Sequence, residues 1–154
     1  MRTRNLVFLA ALAGVTSLAS GSVATAPGRA AAASARHAAG PPLLPVSEGD
    51  QTSLHESGCQ LSFNTRHDTL VYAIGHSLMI RTAAGRAVCP ITDRQFSAFT
   101  GGGSRSCGGL RLAVRRTGRV TGNEASDSAS FPATLTVTGR GRPWTVRGFW
   151  GTAC

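Results

Sequence analysis

Few side chains in this sequence stand at the spacings that catalysis requires. Gly75-His76-Ser77 sets an imidazole beside a hydroxyl like the start of a nucleophile turn, but Leu78-Met79 follow and the closing glycine is missing. Neighbours on a strand point to opposite faces, so the side chains of His76 and Ser77 should diverge. His67-Asp68 reads as a polar turn rather than a dyad. Glu124 and Asp127 form the close acidic pair, and two carboxylates can flank a glycosidic bond. Their surroundings, Gly122-Asn123 before and Ser126, Ser128 and Ser130 among and after them, have the composition of an ordinary loop. No nucleophile comes with its base. The expectation is a non-enzymatic protein without a cofactor, with Glu124, Ser126, Asp127, Ser128 and Ser130 as a binding loop.

Cysteine chemistry is more informative. Cys59, Cys89, Cys107 and Cys154 include no Cys-x-x-Cys pair, and no histidine lies at ligand spacing from them, so neither a metal site nor a redox motif is expected. Four cysteines in a small exported domain point to two disulfides, for which sequence permits three pairings. Cys89–Cys107 with Cys59–Cys154 is favoured: the first clips a helical insert, and the second ties the first strand to the last.

All 16 basic residues are arginine, against seven acidic residues. Without Arg2 and Arg4, in the N-terminal segment, the net charge is near +7. Arg111, Arg115, Arg116 and Arg119, joined by Arg140, Arg142 and Arg147, could form a basic face that attracts phosphates, carboxylates or acidic polymers. Arg115 and Arg116 adjoin at a strand end, so only one can share the face of Arg111. One tyrosine and no aromatic-interleaved basic motif argue against nucleic acid. The expected partner is an envelope protein or an anionic envelope polymer. An abundance of Arg, Ala and Gly through codon composition is the competing explanation.

The elements that must position these residues are mostly strands. Leu61 and Phe63 alternate with polar neighbours, and 69–74 and 77–82 are two further runs parted at Gly75-His76. Ala83-Ala84-Gly85-Arg86 turns into 87–91. Thr92 and Gln95 have capping-box spacing for a short helix that presents Phe96 and Phe99 and is stopped by Gly101-Gly102-Gly103. Leu110, Leu112 and Val114, then Ala133, Leu135 and Val137, then Trp144 and Val146 mark three more strands with one apolar face each. Phe149 falls on the opposite face from Trp144 unless Gly148 carries a bulge. Six or seven short strands with closely spaced turns give a mainly β fold, a small antiparallel barrel or sandwich with one short helical insert.

The N-terminus reads differently. A positive start, an apolar run from Leu6 to Ala19 and small residues up to Ala26 make the three-part pattern of a secretory signal peptide. The run falls short of the roughly 20 residues a bilayer span needs, and no cysteine follows it before Cys59, so neither a membrane anchor nor a lipoprotein is expected. The domains expected are a signal peptide at 1–26, an Ala/Pro/Gly-rich flexible linker at 27–57 and a β domain at 58–154 of roughly 95–100 residues. The protein is expected in the periplasm or outside the cell.

Ser126-Asp127-x-x-Ser130, Pro132, Thr136-Val137 and Arg147-Gly148 ahead of Cys154 resemble the closing segment of a family of small, uncharacterised bacterial envelope proteins. Ala73-Ile74-Gly75 resembles the opening of that family's Ala-x-Gly-x-Glu-Pro-Phe-Trp element, where His76-Ser77-Leu78-Met79 stand instead; Ala125 replaces its cysteine. The resemblance implies an envelope location. In size, strand count and a Ser/Gly-containing loop, at 103–106 or 126–130, the chain is also similar to C-type lysozyme inhibitors, small exported β-barrels. Their Ser-Gly-x-Gly-Ala-x-Tyr element is absent, and lysozymes of that class are themselves cationic, so like charge opposes encounter. Inhibition of a cell-wall hydrolase is the second expectation, and a small hydrolase using Glu124 and Asp127 the third.

Overall fold

The computed structural model describes residues 40–123, 127–139 and 141–154; the expected signal peptide lies outside them. The elements are α1 (Glu48–Thr52), β1 (Gln60–Asn64), β2 (Thr69–Ile74), β3 (Ser77–Thr82), β4 (Gly85–Pro90), α2 (Asp93–Thr100), β5 (Gly103–Cys107), β6 (Leu110–Arg116), β7 (Thr121–Asn123), β8 (Ser128–Thr138) and β9 (Trp144–Ala153). One antiparallel sheet runs in the order β4-β3-β2-β1-β9-β8-β6-β5, with β7 on β8, and curls into a nearly closed barrel.

Alternation decides what faces inward. Leu61 and Phe63 of β1, Leu112 and Val114 of β6, Leu135 and Val137 of β8 and Trp150 of β9 enter one core. No bulge interrupts β9 against β8: Trp144 stands opposite Val137, Phe149 opposite Pro132 and Trp150 opposite Phe131. Trp150 is fully buried and Phe149 is exposed. Gly148 is required by close approach, since a Cβ there would lie 2.9 Å from the Phe63 ring and overlap the Asn64 carbonyl oxygen.

The open seam lies between β4 and β5, the two ends of the sheet. The Cys89–Cys107 disulfide bridges it, and α2 is the connection between these strands. Thr92 and Gln95 form the expected capping box of α2. Phe99 packs on Trp150 with ring centroids 4.7 Å apart. The Trp150 indole N–H donates to the Phe99 and Thr100 carbonyls, 2.9 and 3.1 Å away, which satisfies helix-end acceptors. Arg105 holds the helix from β5, its guanidinium over the Phe99 ring and donating to the Gln95 carbonyl at 2.6 Å. Cys59–Cys154 closes the other end of the chain, beside the pairing of Gln60 with Ala153.

Several expectations need correction. Residues 103–106, one of the two segments expected as a Ser/Gly loop, are most of β5, and among the described residues the strands number nine rather than six or seven. The linker expected over 27–57 does not extend to its described part: from Leu43 onward it is a packed arm. Leu44 and Val46 donate backbone N–H bonds to Arg81 and Thr69, Leu43 and Val46 are buried, and α1 is a second helix, with its own capping box from Ser47 and Asp50. Val46 covers Tyr72, Ile74 and Met79 on the outer face of β2 and β3. That second covering is why β2 reads as a continuous apolar run instead of alternating. Among the described residues no helix is long and apolar enough to cross a membrane.

Candidate functional site

The arm leaves another wall of the barrel uncovered among the described residues: the outer face of β6, β8 and β9. Register builds its surface in rows. Arg115 stands opposite Thr134, which stands opposite Arg147 on the far strand. Below it run Ala113, Thr136 and Thr145, the two threonine hydroxyls 3.2 Å apart. Arg111 stands opposite Thr138 and donates to the Ser104 hydroxyl at 3.3 Å. Two strand spacings separate Arg115 from Arg147, about 10 Å, and four residues separate Arg111 from Arg115, about 13 Å.

Among the described residues no carboxylate lies within ion-pair distance of Arg111, Arg115 or Arg147, all of them exposed. The other wall is different. Arg81 meets Asp50 at 2.8 Å and Arg86 meets it at 4.0 Å. The Asp50 carboxyl is held below its ordinary range by the Ser47 hydroxyl and backbone N–H, with Arg81 adding to it. Arg111, Arg115 and Arg147 therefore share one face of β6 and β9 without a described carboxylate, and threonines supply hydroxyls beside them. Such a surface presents planar donors for carboxylate, sulfate or phosphate oxygens.

The expected basic face is divided by the fold. Arg111, Arg115 and Arg147 share the wall. Arg119 lies in the β6–β7 connection and Arg142 in the β8–β9 turn, both exposed, while Arg140 lies outside the described residues. Arg116 takes the inward register, its guanidinium 5.9 Å from the Phe131 ring centroid at the barrel mouth. There a groove of about 480 Å³ is lined by Arg116, Val120, Asp127 and Phe131, and another of about 420 Å³ by Asp93, Phe96 and Ser97; Thr100, Thr152 and Cys154 border both.

The expected binding loop is shorter than 122–130. Ser128 and Ser130 belong to β8, where Ser130 faces Gly151 and Thr121. Asp127 is exposed with φ 44°. Glu124 and Ser126 lie outside the described residues, so the carboxylate pair has no described geometry. Ser77 and His76 do diverge. Ser77 donates to Glu56, whereas the His76 imidazole lies 3.5 Å from Asp93.

Sequence reasoning missed the Glu56 clamp. Its carboxylate accepts from the Ser77 hydroxyl and, at 2.6 Å, from the His76 backbone N–H, and these bonds hold its pKa below the ordinary value. Gly75, at φ 54°, gives the carboxylate room. No spacing signal announces a contact made across twenty residues of chain. Also missed was a trough of about 260 Å³ on the outer wall, lined by Gln60, Ser62, Thr121, Ser130 and Gly151. The missed α1, by contrast, had a legible signal in Ser47-x-x-Asp50.

No protein-family model matches the chain, and no curated protein or solved structure is significantly similar to it.

Proposed function

We propose that this protein is an exported, non-enzymatic binding module of the cell envelope that recognises an anionic surface, polymer or protein through the arginine–threonine wall of β6, β8 and β9. The observation that carries this reading is the Arg115–Thr134–Arg147 row, with Arg111 beside it, uncovered by the arm and unmatched by any described carboxylate. Arginines set on strand positions about 10 Å apart suit a ligand that carries several separated charges better than a single ion. Export is supported by the three-part pattern at 1–26 and by two disulfides, which persist in oxidising compartments. The resemblance at 126–154 to small envelope proteins points the same way.

The test is retention on anionic matrices across a salt series. The Arg111→Ala/Arg115→Ala/Arg147→Ala protein should bind at least tenfold more weakly at low salt, with a flatter dependence on ionic strength. Its folding should be unchanged, because all three side chains are exposed. Unaltered retention would reject the wall as the binding surface.

A further inference from the structure

The uncovered wall does not end at its arginines. Phe149 is 53% exposed, directly opposite Pro132 on β8 and two residues along β9 from Arg147. The side chains of 147, 149 and 151 share one face, so Gly151 follows on the same line, and the polar trough lies over it. Glycine keeps the trough floor open: a Cβ at 151 would lie 3.2 Å from the Ser130 Cβ. The trough walls are prearranged donors. Ser62 accepts from the Asn64 side-chain amide at 2.7 Å, which leaves its own hydroxyl hydrogen to give. Gln60 accepts from the Tyr72 hydroxyl at 3.0 Å through its carbonyl oxygen, which leaves its N–H groups to give.

In order along about 14 Å of strand stand a hydroxyl- and amide-lined trough, the exposed Phe149 ring opposite half-buried Pro132, and a pair of arginines. A phosphate polymer has use for the arginines alone. A sugar ring has an apolar C–H face for an exposed aromatic plane and a rim of hydroxyls for a polar trough. An acidic sugar adds the carboxylate or sulfate that the arginines recognise. We propose that the wall binds an acidic polysaccharide, one ring lying on Phe149 with its hydroxyls toward the trough and separate acidic groups met by Arg115 and Arg147. This deepens the anion-binding reading and rests on it.

The experiment titrates the oxidised protein with polygalacturonate and with inorganic polyphosphate of equal mean charge, using Phe149→Ala and Arg115→Ala/Arg147→Ala variants. Unchanged circular dichroism confirms that the exposed substitutions leave the fold intact. Polygalacturonate binding should fall about tenfold in Phe149→Ala while polyphosphate binding stays the same, and the double arginine variant should lose both. If Phe149→Ala binds polygalacturonate as well as the parent does, or the parent binds polyphosphate alone, the saccharide inference is overturned and the anionic reading survives. If the parent binds neither polymer, the saccharide inference is overturned together with recognition of anionic polymers by the wall.

Discussion

The two disulfides close very different loops, and that difference gives a quantitative prediction. Cys89–Cys107 spans a sequence separation of 18 and Cys59–Cys154 one of 95. In the chain-entropy model these loops restrict the unfolded chain by about 3 and about 5 kcal/mol respectively. At about 4 °C per kcal/mol for a domain of this size, Cys89→Ala/Cys107→Ala should lower Tm by about 12 °C and Cys59→Ala/Cys154→Ala by about 20 °C. Local stability should rank in the opposite order. β1 and β9 keep a five-residue ladder when their disulfide is removed, so amide exchange there should rise only as far as global stability falls. β4 and β5 share no ladder, and the disulfide is the covalent link across their seam. Its removal should accelerate exchange in β4, β5 and α2 well beyond the global change. The assay is thermal unfolding of both variants together with residue-resolved hydrogen exchange. A larger Tm loss from the short loop would refute the unfolded-state accounting, and uniform exchange in the seam variant would refute the seam.

Two further outcomes follow from local geometry, beside the arginine and Phe149 tests above. Gly148→Ala should cost more than 3 kcal/mol or prevent folding, because its Cβ meets the Phe63 ring at 2.9 Å and the Asn64 carbonyl; urea unfolding should find Gly49→Ala, 3.9 Å from the Ser47 hydroxyl, close to neutral. Glu56 and Asp50 tie the arm to the barrel with pKa values lowered by folding, so their stabilisation is complete above the ordinary carboxylate range and is lost as pH falls through the folded values. Limited proteolysis within 42–58 should therefore speed up in acid. Glu56→Gln should show faster cleavage already at neutral pH and a smaller further rise in acid, and an arm equally protected at pH 7 and pH 3 would contradict this account.

The strands were legible because a period of two needs only neighbours in the chain. Leu61 with Phe63, Leu112 with Val114 and Leu135 with Val137 declare an inner face wherever the other face is wet. Thr92-x-x-Gln95 declared α2 for the same local reason, as did Ser47-x-x-Asp50 for the unread α1. The disulfide pairing followed from assuming that the first and last strands meet, and they do. β5 stayed hidden because Gly103-Ser104-Arg105-Ser106 has almost no apolar side; its inward residue, Arg105, is accommodated by the Phe99 ring and the Gln95 carbonyl, which lie on another element. The arm was misread because Leu43 and Val46 have no period, and only tertiary packing gives them somewhere to be buried, Leu43 in the main core and Val46 on the outer face of β2 and β3. The site divides along the same line. Sequence supplied the excess of arginine and the alternation that sets Arg111 and Arg115 on one face. Register across three strands, a tertiary property, set Arg147 across from Arg115, turned Arg116 to the barrel mouth and brought Phe149 beside the Gly151 trough. Strand neighbours interact across the sheet regardless of their distance in the chain, so composition announces a charge and only pairing decides which surface carries it.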